Sequence, residues 1–311
     1  MFKKRESEPV SIKEKHYKYV LEEDYERYVS SRSSLEFKQL EIAGTTLKYI
    51  ERGQGPLILM LPGSTGKGIS FYEYILDLSI RYRVVAIDYP VANSLEHLVE
   101  MIRIAVERLQ VDEQPTYVLA NSFGSVILQE LLIKEPKLFD HVIFMHGVSK
   151  DSLVSKKVVK MNQKSINSFL KSISFLKFSS FQKRFSKRLR SSMHIYPENI
   201  SLRLFWEGFY EEMLYSTTQE EMISNYTFMK DFWYHRLYSK EQFEPVKSPV
   251  IIIESFADMD AELPEKLALC SLFPSHEMLM LKGDSNLSMI KNREEIVAFI
   301  QKVLPKPVKE S

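Results

Sequence analysis

Short, uninterrupted apolar runs recur along this 311-residue sequence, and they constrain the fold more than any other feature. Each run is bounded by turn residues, and most are followed by a segment with helical periodicity. Such a run suits a strand that is buried on both faces, and strands that alternate with helices form a mostly parallel sheet with right-handed crossovers. The predicted strands cover residues 57–61, 83–87, 116–119, 142–145, 250–253 and 278–281. We therefore expect an α/β protein, with an antiparallel hairpin over residues 37–51 preceding the first of these runs.

One of the predicted strands ends at a serine between two small residues. Ala120 and Gly124 flank Ser122 at a spacing of two, and an amphipathic segment follows. A sharp turn from strand to helix forces its central residue into a strained conformation, so the flanking residues must be small. The turn exposes the hydroxyl of Ser122 and places the Phe123 amide at a helix start, where it can stabilise an oxyanion. A chance match in a polar loop is the alternative, and the flanking patterns disfavour it.

This segment resembles the nucleophile elbow of the α/β-hydrolase superfamily, with Ala120 in place of the usual first glycine. The resemblance covers about residues 37–149 and 245–303. It implies an α/β-hydrolase fold, in which helices flank a mostly parallel sheet and a helical cap is inserted. It also implies that Pro62-Gly63-Ser64 begins the oxyanion loop, in which the Ser64 amide is the second donor.

The glycines and the lysine of this loop also suggest a phosphate-binding loop. That interpretation fails because Gly66-Lys67 is followed by Gly68 and not by serine or threonine. The loop, together with residues 71–72 and 82–91, is instead similar to the maspardin-type branch of the superfamily, where the oxyanion loop begins with proline.

The resemblance also locates the other two members of a catalytic triad. Asp258 follows the predicted strand 250–253 at the place of the triad acid, and Asp260 is a nearby competitor. Asn286 falls at the place of the triad histidine when the segment after the last strand is matched without a gap. Because an amide cannot accept the proton of Ser122 near neutral pH, a standard triad is not expected.

Another histidine has to act as the base if Ser122 is activated. The sequence has seven histidines, and His146 is the best substitute because it ends its strand on the same rim of the sheet as Ser122. The ordinary alternative for His146 is that it lines a pocket or hydrogen-bonds to the backbone. His194 and His235 are further candidates if the cap brings them down to the site.

The alternation of strands and helices stops between residues 150 and 244, where we predict the helical cap. Residues 1–35 are predicted as an N-terminal helical extension, 36–149 and 245–306 as the α/β-hydrolase core, and 307–311 as a tail. The segment Lys150–Arg190 holds twelve basic residues and one acid, interleaved with phenylalanines. Either the two halves of the cap attract each other over a pocket, or the basic half binds an anionic membrane surface.

Composition limits the partners and the cellular compartment. The net charge is +1, and no base-reading motif accompanies the basic segment, so we expect no nucleic acid partner. Cys270 is the single cysteine, which excludes a disulfide within the chain and fits a reducing compartment. No apolar segment follows the charged start of the chain, and no run approaches the ~20 residues that span a bilayer. We therefore expect a cytoplasmic protein without cofactor or metal ion, and the oligomeric state stays open.

These features predict a serine hydrolase-type protein that acts on an ester or a related apolar acyl substrate. Ser122 would be the nucleophile, the Ser64 and Phe123 amides the oxyanion donors, and Asp258 the acid. Without the triad histidine, activity is expected to be weak or to use a non-standard base such as His146. The alternative is a catalytically inactive protein of the same fold that binds a hydrophobic ligand or a protein partner.

Overall fold

The computed structural model describes residues 11–192, 200–255, 267–282 and 285–305, apart from the side chains at 189, 192 and 285–287. Its strands are β1 (Glu36–Ile42), β2 (Thr45–Arg52), β3 (Leu57–Leu61), β4 (Arg83–Ile87), β5 (Thr116–Asn121), β6 (His141–Met145), β7 (Val250–Ser255) and β8 (Glu277–Leu281). They form one eight-stranded sheet in the order β1-β2-β4-β3-β5-β6-β7-β8.

The six predicted strands are confirmed as neighbouring parallel strands, and all but β8 are buried along most of their length; β8, at the edge of the sheet, is largely half-buried or exposed. β3 lies between β4 and β5, and β6, β7 and β8 follow on the far side of β5. The first two strands form the predicted antiparallel hairpin, and β2 joins it to β4. Because β3 to β8 are parallel, their carboxyl ends meet at one edge of the sheet, and the residues that follow them are brought together there.

Helices precede the first strand, connect most of the strands that follow and end the described chain. They are α1 (Ile12–His16), α2 (Glu22–Ser33), α3 (Tyr72–Leu78), α4 (Leu95–Leu109), α5 (Gly124–Lys134), α6 (Lys156–Phe175), α7 (Phe178–Ser192), α8 (Ile200–Ser216), α9 (Gln219–His235), α10 (residues 267–272), α11 (Ser285–Lys291) and α12 (Arg293–Val303). Leu98, Ile102 and Ala105 show the general pattern: they recur at helical spacing along α4 and are fully buried in the main core. Among the described residues, no helix is long and apolar enough to cross a membrane.

The chain forms two compact units. One comprises Met1–Ser34 and Lys177–Thr218, with the described helices α1, α2, α7 and α8. The other comprises Leu35–Leu176 and Gln219–Ser311, with the sheet and the remaining helices. The predicted cap over 150–244 therefore contributes α6 and α9 to the unit of the sheet and α7 and α8 to the other unit. Its place over the carboxyl edge of the sheet stays a prediction.

A half-buried carboxylate organises the smaller unit. Glu212 on α8 accepts hydrogen bonds from the hydroxyls of Tyr17 (2.7 Å) and Tyr28 (3.2 Å) and pairs with Arg32. Burial, reinforced by the charge of Glu212, raises the pKa of both phenols well above the usual range, so they remain donors. These contacts attach the N-terminal helices α1 and α2 to α8.

Candidate active site

The sharp turn predicted at Ser122 is present. Asn121 is the last residue of β5, Ser122 follows with a φ of +48°, and α5 begins two residues later at Gly124. The Ser125 amide donates to the Ser122 carbonyl at 3.0 Å and closes the turn. A left-handed backbone costs a residue with a side chain ~1–2 kcal/mol, so the surrounding structure must hold Ser122 in this conformation.

Two glycines allow the chain to pass close to this turn. A Cβ atom at Gly124 would lie 2.3 Å from the carbonyl oxygen of Leu61, the last residue of β3. A Cβ atom at Gly63 would lie 3.3 Å from Cβ of Ser122. The segment that follows β3 therefore runs directly against the elbow, where the sequence predicts the oxyanion loop with Ser64.

Hydrogen bonds fix the shape of this loop. Tyr89, just after β4, donates from its hydroxyl to the Pro62 carbonyl (2.6 Å) and from its amide to the Gly66 carbonyl (2.8 Å). Asn225 on α9 donates to the Thr65 carbonyl at 3.2 Å. Gly66 has a φ of +66°, and a Cβ atom there would lie 2.3 Å from the Asn225 amide nitrogen. The loop is thus held from both the sheet and α9.

A partly buried charge cluster joins the loop to α9. The Lys67 ammonium lies 2.8 Å from Glu221 on α9 and 3.4 Å from Asp88, and Asp88 also accepts from the Gly68 amide at 2.8 Å. Burial raises the pKa of the Asp88 carboxyl against the opposing effect of Lys67. Burial alone would lower the pKa of the Lys67 ammonium, but the two carboxylates together raise it above its usual value. Lys67 therefore has a structural role here, as the missing Gly-Lys-Ser/Thr ending indicates.

His146 follows β6 next to Ser122 along the carboxyl edge of the sheet. The Ser122 amide donates to the Met145 carbonyl at 3.0 Å, and the His146 amide donates to the Ile253 carbonyl of β7 at 2.9 Å. His146 also has a φ of +48°. Ser122 and His146 are thus two strained residues that directly follow neighbouring strands, at the same edge of the sheet. Such strain is typical of a functional site.

The imidazole of His146 lies between a carboxylate and a hydroxyl. Nδ1 is 3.1 Å from Oε1 of Glu254 on β7, and Nε2 is 2.5 Å from Oγ of Ser288 on α11. The imidazole is 7% exposed, the Glu254 side chain 3%, and residue Ser288 1%. His146 is thus held through its ring nitrogens by two side chains and not by the backbone.

The segment after His146 is anchored to α5. The Ser125 hydroxyl donates to the Val148 carbonyl at 2.9 Å and accepts from the Val148 amide at 2.7 Å. Gln129 donates to the same carbonyl at 3.0 Å and accepts from the hydroxyl of Ser149 at 2.6 Å. The helix that begins at the elbow therefore also fixes the backbone that carries the imidazole.

The predicted acid and the predicted histidine position are described only in part. Asp258 and its competitor Asp260 lie outside the described residues. Asn286 lies in the first turn of α11 and not in a loop, and its side chain is outside what the structure describes. The assignment of both residues to a triad stays a prediction.

The other histidines contribute little to this edge of the sheet. His141 begins β6 at the opposite edge, where burial lowers the pKa of its imidazole. His235 ends α9, is largely exposed and pairs with Asp231 at 2.8 Å. His194 lies outside the described residues. His146 is therefore the histidine that the described structure places beside Ser122.

Sequence reasoning missed Glu254 and Ser288. Glu254 lies near the end of β7, whereas the family pattern places the acid at Asp258, four residues later. A charged residue inside a strand that is otherwise buried was the available signal, because a buried carboxylate needs specific partners. No comparable signal marks Ser288, which is one of several polar residues after β8.

The described residues contain no group of three or more histidine, cysteine or acidic side chains that could hold a metal ion. A surface cleft of about 550 Å³ lies at the amino end of β7 and is lined by Phe243, Lys247 and Phe273 among others. It opens at the edge of the sheet opposite Ser122, so we do not assign it to the same site.

Comparison with known proteins supports the architecture. No family model matches the sequence. A segment of 116 residues is 32% identical to the "Uncharacterized hydrolase YraK" of Bacillus subtilis (strain 168), and it spans 34% of this chain and 42% of that protein. The match therefore covers less than half of that relative.

Solved structures match over most of the chain. A bromoperoxidase from Bacillus anthracis superposes with a TM-score of 0.66 at 15% identity, covering 86% of this chain and 99% of that chain. The epoxide hydrolase VrEH1 from Vigna radiata gives a TM-score of 0.65 at 16% identity over 87% and 97% of the two chains. Rv0554 from Mycobacterium tuberculosis gives a TM-score of 0.65 at 14% identity, covering 86% of this chain and 97% of that chain. The chain has the α/β-hydrolase fold.

Proposed function

We propose that this protein is a serine hydrolase that acts on an ester or a related apolar acyl substrate, with Ser122 as the nucleophile. The strained backbone of Ser122 at the turn between β5 and α5 carries the proposal. The Ser64 and Phe123 amides are the proposed oxyanion donors, and the close approach of Gly63 to Ser122 supports the first of them. Similarity to a hydrolase of Bacillus subtilis supports hydrolysis in general, and the maspardin-like branch stays a hypothesis.

The reaction needs a base, and we assign that role to His146. In the acylation step the Ser122 oxygen bonds to the substrate carbonyl carbon, its proton passes to the imidazole, and the carbonyl oxygen becomes an oxyanion. When the intermediate collapses, the bond to the leaving alcohol breaks and the imidazolium returns the proton to that alcohol. A water molecule then releases the acid by the same sequence. The adjacent position of His146 along the sheet edge supports this assignment.

Replacing Ser122 with alanine should abolish hydrolysis of p-nitrophenyl butyrate. Loss of the nucleophile leaves only substrate binding and the oxyanion donors, so we expect a drop of at least ~10²-fold relative to the wild type. The rate of p-nitrophenolate release at saturating substrate concentration measures this drop. Ser180→Ala, which removes an exposed hydroxyl on α7, is the control and should match the wild type. Equal activity of Ser122→Ala and wild type would refute the nucleophile assignment.

The variant Asn286→His separates two explanations of a weak enzyme. If the site lacks a base, an imidazole at position 286 should raise the rate by up to ~10²–10⁴-fold. If His146 is the base, the added imidazole duplicates an existing group, and we expect less than about a threefold change. The same p-nitrophenyl butyrate assay measures the difference. A large gain would show that His146 does not serve Ser122.

The alternative is a protein that retains the fold and binds a hydrophobic ligand or a protein partner without turnover. Inactivity of the wild type, the Ser122→Ala variant and the Asn286→His variant in the same assay would favour it. The strained backbone at both Ser122 and His146 favours catalysis, because a binding pocket alone does not require strain at two neighbouring residues.

An exposed face of α6 favours an additional role at membrane surfaces. Lys157, Lys164 and Lys171 recur along this face and are exposed. Met161, which is 57% exposed, lies between the first two lysines, and Phe175, which is 85% exposed, lies one turn beyond the third. We propose that this face binds anionic lipid through its lysines and inserts Phe175 at the boundary. The phenylalanines of α7 contribute less than the sequence suggests, since Phe181 is buried within its unit. The cytoplasmic location stays a hypothesis that rests on the single cysteine.

Reversing the charge of two lysines on this face should abolish membrane binding. We expect the wild type to co-sediment with vesicles containing anionic lipid at low salt and to dissociate from them at high salt. It should not co-sediment with neutral vesicles. Lys164→Glu combined with Lys171→Glu should remain in the supernatant. Lys48→Glu combined with Lys137→Glu changes the net charge equally at other exposed positions and should still sediment. Equal sedimentation with neutral vesicles, or none with anionic ones, would rule out this surface.

A further inference from the structure

Three buried side chains form a hydrogen-bonded row at the carboxyl edge of the sheet. Nδ1 of His146 lies 3.1 Å from Oε1 of Glu254, and Nε2 lies 2.5 Å from Oγ of Ser288. The same oxygen of Glu254 accepts from the Ser255 amide at 2.9 Å. A hydroxyl, an imidazole and a carboxylate in this sequence are the constituents of a serine-hydrolase triad.

The partners determine which nitrogen of His146 carries the proton. A carboxylate has no hydrogen to donate, so Nδ1 of the neutral imidazole must donate to Glu254. Nε2 is then the acceptor and takes its hydrogen bond from the hydroxyl of Ser288. This tautomer leaves Nε2 as the basic atom, and that is the atom a triad base uses to receive the proton of the nucleophile.

Rigid elements carry this row. Glu254 lies within β7, where it pairs with Met280 of β8, and the preceding residue Ile253 pairs with Met145 of β6. The strained backbone of His146 is followed by the segment that Ser125 and Gln129 anchor to α5. The hydroxyl of Tyr74 on α3 donates to the Met289 carbonyl at 2.7 Å and so fixes α11 next to Ser288. Such support from fixed elements is what orients a catalytic base accurately.

We propose that Glu254 is the carboxylate that orients His146 for the reaction of Ser122, and that Ser288 holds Nε2 of the imidazole in the resting site. The inference rests on the proposed function. It assigns the role of the acid to Glu254 within β7 in place of Asp258, which follows β7. Glu254 and Ser288 are positioning residues, because both act through His146. Asn286 is then not required as a member of the catalytic group.

The arrangement gives Ser288 a restraining effect on the reaction. Nε2 has to exchange the hydroxyl of Ser288 for that of Ser122 before it can accept the proton. The hydroxyl of Ser255 lies 3.5 Å from that of Ser288. Loss of one neutral hydrogen bond changes an equilibrium by about two- to tenfold, so removal of the Ser288 hydroxyl should make Ser122 more reactive by that factor.

Two variants test the proposal through the rate at which a fluorophosphonate inactivates the protein. Glu254→Gln should react ~10²–10⁴-fold more slowly, because an amide donor at Nδ1 favours the wrong tautomer. Ser288→Ala should react about two- to tenfold faster. Glu51→Gln removes the charge of another buried carboxylate, which pairs with Lys38 and Arg83 on β1 and β4, and it should react at the wild-type rate.

A second measurement reports the contacts without any reaction. In proton NMR spectra the Nδ1 proton of an imidazole bonded to a carboxylate appears far downfield. We expect this signal in the wild type and in Ser288→Ala, and we expect it to be lost in Glu254→Gln. A wild type without the signal would overturn the assignment of Glu254, even if the variant had lost stability.

The two proposals fail in different ways. If the wild type shows the signal but does not react with the probe, the proposed function fails while the row of side chains stands. If the wild type reacts at Ser122 and Glu254→Gln reacts equally fast, the role of Glu254 is refuted and the proposed function stands. An unchanged or lower rate for Ser288→Ala would refute the restraining role of Ser288.

Discussion

Replacing His146 with asparagine should lower the rate of hydrolysis at Ser122 by ~10²–10⁴-fold, the contribution expected of a positioned acid–base group. Asparagine is the suitable replacement because it tolerates the positive φ of this position better than most residues, so the fold should persist. Its amide can still hydrogen-bond to neighbouring groups, but it cannot take up the proton. The measurement is turnover of p-nitrophenyl butyrate together with the midpoint of urea unfolding.

His141→Asn is the matched control for that variant. It makes the same substitution at the other end of β6, where His141 packs edge-on against Tyr117, 5.4 Å between ring centroids. We expect a modest loss of stability and no loss of activity per folded molecule. Equal activity of His146→Asn and wild type would remove His146 from the mechanism and return attention to His194 and His235.

Gly124→Ala should destabilise the protein by about 3 kcal/mol, although alanine is ordinarily favoured over glycine in a helix. The added methyl group would lie 2.3 Å from the Leu61 carbonyl oxygen and 2.8 Å from that of Pro62. Both are backbone atoms, one in β3 and one in the predicted oxyanion loop, so neither can move aside like a flexible side chain. The free energy of unfolding in urea measures the loss.

The control for this variant is Gly44→Ala in the turn between β1 and β2. Gly44 has a φ of +81°, but no atom lies within 4 Å of the added methyl group. Only backbone strain remains, and it should cost ~1–2 kcal/mol. A Gly124→Ala protein as stable as the wild type would mean that the strand and the elbow do not approach as closely as described.

The fold was accessible from the sequence because its signals are local. A run such as Leu57–Leu61 is apolar at every position, which requires burial on both faces and therefore a strand between helices. The elbow was equally accessible, since the small residues Ala120 and Gly124 reflect a steric demand of the turn itself. The division of the inserted helices between two compact units could not be predicted from the sequence, because it depends on contacts between segments far apart in sequence.

The site was predicted only as far as backbone geometry determines it. The positions of Ser122 and His146 follow from the ends of β5 and β6, and the sequence located both. The partners of His146 depend on which side chains three separate segments bring to one imidazole. Glu254 and Ser288 are 108 and 142 positions away from it, and no spacing rule connects them.

Mapping the site of fluorophosphonate attachment in the wild-type protein tests the central claim most directly. The probe is added to the folded 311-residue chain, and the modified residue is identified by mass spectrometry of its peptides. An adduct on Ser122 that forms rapidly and is absent in Ser122→Ala is the predicted result. An adduct on Ser288 instead, or no adduct on any serine, would contradict the assignment of Ser122 as the activated nucleophile.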